Sequence, residues 1–184
     1  MGRPGKLKLR TAVKGSGGQI SLNNFTAEII AKDLANKLKI ASASINYMSN
    51  NEKYLVYIKK RIDIDVNGYL DVIAHGNENN IFININGKIL LINHRILSKI
   101  IKNKCKSKKI NGVRLLSCNT GASDDGFAQK LADKLHLPVS APNKYSFVRF
   151  NGQHFVAGSK DGGKTPNYCD IGEFKIFYPR RLKR

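Results

Sequence analysis

An apolar run, "YLDVIA", ends on His75 followed by Gly76, and a second, "GVRLLS", ends on Cys118. A thiol attacks as its thiolate, and an imidazole within reach can take its proton or hold it as an ion pair. Acting together, these side chains would perform nucleophilic catalysis at a carbonyl carbon, with Cys118 as nucleophile and His75 as base. Gly76 lets the backbone pass close to a substrate, so its N–H and that of Cys118 could cradle an oxyanion. Ser117 precedes the nucleophile, and Asn119, Thr120 and Gly121 would shape the turn that follows it. Each residue alone is ordinary, since cysteine is a common core filler and many histidines only satisfy a hydrogen bond. Their joint placement at two strand ends is what points to catalysis.

The pair is positioned by one supersecondary unit: strand 69–74, a helix over 94–104 and strand 112–117. Two strands joined through a helical crossover run parallel, with a right-handed connection. His75 and Cys118 then both lie at carboxyl ends, on the rim where open α/β sheets collect ligands. If the strands are neighbours, they stand about 4.8 Å apart.

The rest of the chain frames this unit. Residues 1–18 read as a basic, glycine-rich arm and 19–184 as a single α/β domain. Phe25, Ile29, Ile30, Leu34 and Leu38 recur at helical spacing and predict an amphipathic helix over 25–38. Strands are expected at 54–58 and 61–66, with Asn67-Gly68 turning the second into a hairpin with 69–74. Asn86-Gly87 predicts another hairpin, and Asn93 caps a helix whose Ile96, Leu97, Ile100 and Ile101 form one apolar face. Ser123, Asp124 and Asp125 are expected to open a helix carrying Phe127, Leu131 and Leu135, with its positive end favouring a thiolate at Cys118. "LPVSAP" reads as a short strand, "SFVRF" and "HFVAG" as a hairpin around Asn151-Gly152, and "EFKIFY" as the last strand.

Composition narrows the function classes. The chain of 184 residues carries 32 Lys and Arg against 13 Asp and Glu, a formal net charge of +19. Such a field favours polyanions: nucleic acid, polyphosphates or an anionic surface. No apolar run reaches membrane-spanning length, and the start of the chain does not read as a signal peptide. Cys105, Cys118 and Cys169 show no C-x-x-C spacing, so neither a disulfide framework nor a metal site is indicated. Cys105 lies among Lys102, Lys104, Lys106 and Lys108, which would also favour a thiolate. Cys169, beside Asp170, reads as structural, and His94 and His136 as surface residues. His154, which begins a strand after a turn, is a further candidate for lining the site.

"LDVIAHG" followed by "VRLLSC" resembles the signature of the caspase-like cysteine peptidases (clan CD: caspases, clostripain, gingipain, separase and toxin autoprocessing domains). There an apolar strand ends in His-Gly and a later one in Ser/Ala-Cys, which places His75, Gly76, Ser117 and Cys118 on the family's motif. Residues 68–179 also resemble C-terminal domains of bacterial polymorphic toxins. The resemblance implies a caspase-like sandwich, a mostly parallel central sheet flanked by helices with β-hairpin additions. It implies peptide-bond cleavage through a thioester, with no cofactor required. A basic pocket could accept inositol hexakisphosphate or another polyanion as activator. The setting implied is a larger bacterial toxin delivered into a target cell, acting on a protein substrate in the cytoplasm and matched by a cognate immunity protein. In toxin peptidases of this kind an aspartate well before the histidine orients it. Here Glu28 and Asp33 sit in no such motif; Asp63, Asp65 or Asp71 could serve, and a dyad needs no third member.

Three readings compete. A ribonuclease-type toxin would use the positive charge to bind RNA and His75 with Lys144 or His154 for acid–base cleavage at the ribose 2′-hydroxyl. Against it, aromatic residues are not interleaved with Lys or Arg as a stacking platform requires. A deamidase or acyltransferase would use the same dyad. A purely binding domain would need none.

Overall fold

Parallel strands inside a sheet are covered on both faces, so they read as continuous apolar runs. "YLDVI" and "GVRLL" have that character, and both are interior strands. In the computed structural model, residues 44–46, 48, 57–58, 68–85, 88–106 and 110–180 are described. The expected arm over 1–18, the helix over 25–38 and the strand at 61–66 lie outside them.

A five-stranded sheet has the order β1 (Ser44–Asn46), β2 (Tyr69–Ile73), β6 (Gly112–Leu116), β7 (Val139–Pro142), β11 (Phe174–Phe177). The first four strands are parallel and β11 runs antiparallel to β7. Two three-stranded antiparallel sheets accompany it. One comprises β3 (His75–Gly76), β4 (Ile81–Ile85) and β5 (Lys88–Ile92); the other comprises β8 (Tyr145–Val148), β9 (His154–Ser159) and β10 (Pro166–Ile171). Among the described residues, two helices lead into strands of the five-stranded sheet: α1 (His94–Lys104), between β5 and β6, and α2 (Phe127–Leu135), between β6 and β7. The molecule is therefore a mixed α/β domain with a mostly parallel sheet.

Alternation along β2 and β6 divides the interior into two regions. Leu70 and Val72 of β2, Ala74 just beyond it, and Val113 and Leu115 of β6 join the apolar residues of α1, α2, β4 and β5 in one large buried cluster. Both crossovers step the same way across the sheet, and one shared hand puts both helices on the same face. They touch there: the His94 ring stands edge-on to Phe127 with centroids 6.5 Å apart, and Lys102 Nζ donates to the Lys134 carbonyl at 2.7 Å. The alternate residues, Ile73 and Leu116, form a much smaller cluster with Ile58, against which Met48, Val148 and Phe174 pack.

Several expected elements are present. β4 and β5 pair across Asn86-Gly87, and β8 and β9 pair across Asn151-Gly152, where Gly152 has φ 86°. The Asn93 side chain accepts from the N–H groups of Arg95 and Ile96 at 3.0 and 3.1 Å and so caps α1. Others differ. Over Asp71–Ile73 both edges of β2 are taken by parallel partners, β1 and β6, and the strand expected to complete a hairpin across Asn67-Gly68 lies outside the described residues. Gly68 does need its positive φ of 74°, and its carbonyl accepts from the Asn111 N–H at 3.1 Å, tying the entry of β2 to that of β6. Tyr57 and Ile58, expected in a strand, are helical. Helix α2 starts at Phe127 rather than Ser123, with Gly126 at its cap, and Asp124 and Asp125 lie before it, ion-paired with Lys175 and Arg180.

Candidate active site

The parallel register of β2 and β6 runs from Tyr69 opposite Gly112 to Ile73 opposite Leu116. His75 and Cys118 each lie two positions past that last pair, so pleat alternation puts them on the same side as Ile73 and Leu116. The chain does not stop at Ala74. It leaves the central sheet there and resumes as β3, where His75 is opposite Phe82 and Gly76 opposite Ile81. The histidine thus stands where one strand is handed from the parallel sheet to an antiparallel one.

Gly76 is required by a close approach. A Cβ at this position would lie 3.0 Å from Ser117 Cβ and from Thr120 Cγ2, and 3.2 Å from the Cys118 carbonyl oxygen. The backbone after His75 is therefore pressed against the turn that carries Cys118. That turn is held from several directions: Thr120 Oγ1 donates to the Ser117 carbonyl at 2.9 Å, and the Asn119 and Gly121 N–H groups donate to the carbonyls of Lys144 and Pro142 at 2.7 and 2.9 Å. Asn119 takes the left-handed conformation, φ 57°, which asparagine tolerates better than most residues. Helix α2 begins eight residues beyond Asn119. In space the two are close: the Ala128 N–H in the first turn of α2 donates to the Thr120 carbonyl at 3.2 Å, so the helix N-terminus packs against the turn that carries Cys118.

His75 and Cys118 line one cavity of about 530 Å³. His75 is exposed and Cys118 half-buried. The thiol Sγ lies 3.9 Å from the Ser146 carbonyl oxygen. Burial pushes the Cys118 pKa up, with backbone hydrogen bonding at Ser146 and at Cys118 itself pulling partly the other way. A thiol pushed towards its neutral form needs a base to attack. Two hydroxyls nearby, Ser117 Oγ and Ser146 Oγ, are buried without a hydrogen-bond partner among the described residues.

The remaining candidates divide. Asp71, on the same face two residues before Ile73, is buried, and its carboxylate accepts from Arg114 Nε at 2.7 Å and Nη2 at 2.9 Å. His154 lines the cavity with His75. Lys144 is ion-paired with Asp170. Cys105 packs half-buried against the large core, while Cys169, expected to be structural, is exposed on β10. His94 is half-buried rather than a surface residue. Among the described residues, no three His, Cys, Asp or Glu side chains converge in a way that could hold a metal ion.

The feature missed at the sequence level is the opposite wall. Phe147 on β8, Phe155 on β9 and Tyr168 on β10 stack across the sheet, with centroids 5.6 and 5.9 Å apart. The Arg149 guanidinium lies 5.1 Å from the Phe155 ring centre. Aromatic and basic residues are thus interleaved after all. The signal was Phe147 and Phe155 flanking Asn151-Gly152 at hairpin register.

A second overlooked pattern is a decoy. "GSKDGGKT" (158–165) has the spacing of a phosphate-binding loop, yet it joins β9 to β10 with no helix following. The Asp161 carboxylate already occupies the turn, accepting from the N–H groups of Lys164 and Thr165 at 3.0 and 2.6 Å.

No curated protein and no solved structure matches this chain. Residues 43–156, which include both His75 and Cys118, match the family model described as a domain of unknown function, DUF8616, and the chain belongs to that family.

Proposed function

We propose that this domain is a caspase-like cysteine peptidase, the effector or processing module of a bacterial toxin. The supporting observation is that His75 and Cys118, from the ends of adjacent parallel strands, line one cavity. As substrate binds, His75 accepts the Cys118 proton while Sγ bonds to the scissile carbonyl carbon. The resulting oxyanion is held by the N–H groups of Gly76 and Cys118, with Ser117 and Asn119 fixing the turn. His75 then protonates the leaving amine as the C–N bond breaks, which leaves a thioester. Water, deprotonated by His75, attacks the thioester and releases a carboxylate and the free thiol. Because burial raises the Cys118 pKa, His75 acts as a general base rather than as one half of a standing ion pair.

The wider setting rests on the resemblance of the His-Gly and Ser-Cys motifs. It comprises a caspase-like sandwich, delivery into a target cell, a protein substrate, a cognate immunity protein, and a polyanion such as inositol hexakisphosphate on the basic surface. The net charge of +19 suits an acidic substrate or such an activator.

The test is the alkylation rate of each cysteine by iodoacetamide in wild type and His75→Ala, with mass spectrometry resolving the three sites. Exposed Cys169 is the internal reference. A buried, neutral thiol should react more slowly than Cys169 unless a base assists it. The proposal expects Cys118 to match or exceed Cys169 near neutral pH and to fall well below it in His75→Ala. A Cys118 that is slow in both proteins removes the dyad.

The second reading, an acid–base ribonuclease, is favoured by two observations: His154 and His75 share the cavity, and Arg149 lies over the aromatic ladder as a stacking platform requires. It predicts RNA cleavage that survives Cys118→Ser and is lost in His154→Ala.

A further inference from the structure

The chain has eight phenylalanines and seven tyrosines, and five of these rings line the single cavity that holds His75 and Cys118: Tyr57, Phe147, Phe150, Phe155 and Tyr168. Three form the ladder across β8, β9 and β10, and the other two meet edge to face with centroids 5.2 Å apart. Phe150 is 80% exposed and Tyr168 66% exposed. Large aromatic surface left in water around a concave site is surface kept for a ligand. Behind the rings, Ile73, Leu116 and Val148 give the cavity a hydrocarbon floor, beside the Ser146 carbonyl that faces the Cys118 thiol.

We propose that this cavity selects a peptide substrate by a phenylalanine-like side chain beside the scissile bond, an inference that rests on the cysteine-nucleophile reading above. Aromatic pairs gain from edge-to-face and offset contacts beyond the area they bury, so a wall of rings favours an aromatic guest over an aliphatic one. Arg149 and Lys164 line the cavity as well, but a charged side chain set against Ile73, Leu116 and Val148 would lose its hydration there. A nucleobase would do the same with its edge donors and acceptors, although the ring wall would suit it. The hydrocarbon floor therefore decides for a benzyl group over a base.

The first experiment compares peptidyl acyloxymethyl ketones that differ only in the residue next to the reactive group: Phe, Leu, Asp, Lys or Gly. The readout is the rate of covalent addition to Cys118 by intact mass. The Phe probe should react roughly tenfold or more faster than the Gly, Asp and Lys probes, and faster than Leu, a margin typical of one well-buried side chain. Phe155→Ala should remove most of that advantage, and Phe155→Leu, which keeps the hydrocarbon bulk, should remove less. Equal rates, or a faster charged probe, would overturn the aromatic preference while leaving the dyad intact.

No labelling by any probe would instead overturn the nucleophile, and a binding measurement then judges the cavity separately. The chain contains no tryptophan, so in Cys118→Ser the emission of N-acetyl-tryptophanamide reports only the probe. A blue shift reversed by N-acetyl-phenylalaninamide, and not by AMP, supports the aromatic side chain. Displacement by AMP alone, or no shift at all, overturns it.

Discussion

The two sides of strands β2 and β6 are built from alternate residues of the same ten positions, yet they serve different ends. On the helix side, Leu70, Val72, Val113 and Leu115 disappear into a continuous hydrocarbon core. On the other side, Asp71 and Arg114 form an ion pair, Ile73 and Leu116 floor a cavity, and His75 and Cys118 stand at its edge. Filling one face allows the other to stay partly open, because burial on the helix side holds both strands in register. The division predicts that substitutions separate cleanly into those that cost activity and those that cost stability. The largest effect expected is on activity: His75→Ala should lower turnover of a peptide substrate by roughly 10²–10⁴-fold, the usual value of a general base. Because His75 is exposed, its unfolding free energy should change by no more than about 0.5 kcal/mol. A large drop in the urea midpoint would mean that the two faces are not independent.

The buried pair on the cavity side sharpens the comparison. Arg114→Met leaves the Asp71 carboxylate buried without its bidentate partner and should destabilise by about 3–5 kcal/mol. The double variant Asp71→Leu/Arg114→Met should recover most of that loss, since two hydrocarbon side chains need no solvation. Failure to recover would mean that Asp71 has a second obligation on this face, such as orienting His75. On the helix side, Leu115→Ala removes buried hydrocarbon and should cost about 2–5 kcal/mol in urea unfolding, with Cys118 alkylation under native conditions unchanged. A parallel fall in Cys118 reactivity would show that core packing also tunes the site.

The placement of His75 and Cys118 at the ends of adjacent strands could be read in the sequence because strand, turn and helix signals there agree: apolar runs of strand length, an Asn93 cap and two residues that break the runs with chemistry. The misreadings share a cause, which is that local signals yield to partners distant in sequence. Asn67-Gly68 is a strong local hairpin pair, yet what Gly68 does is tie the start of β2 to that of β6 through the Asn111 N–H, a partner more than forty residues away. Ser123, Asp124 and Asp125 look like a helix start, but two of the three are drawn to Lys175 and Arg180, some fifty residues later. β10 was missed because its pairing with β9 shifts register between Asn167 and Ile171, and most of its residues are exposed, which leaves no period-two pattern to see. The aromatic wall needed the register of three strands, and only two of its rings lie in one hairpin.

The smallest effect expected is a pH dependence confined to the helix side. His94, the first residue of α1, has its pKa lowered, first by burial and then by the positive charges of Arg95, Lys130 and Lys134. The N-terminal end of the helix dipole disfavours the imidazolium further. The folded protein thus keeps this ring neutral at a pH where the unfolded chain, with an ordinary value near 6.5, already binds a proton. More protons on the unfolded state mean that stability falls as pH drops from about 6.5 towards the folded value, below which both states are charged and the loss is complete. His94→Gln removes the titration and should flatten that part of the curve. Urea midpoints taken at about pH 7.5, 6.5 and 5.5, and read as the difference between variant and wild type, cancel the carboxylates common to both. The variant should gain on the wild type as pH falls. Alkylation of Cys118 in His94→Gln should follow the wild-type profile throughout, because His94 lies across the sheet from the cavity, against Phe127.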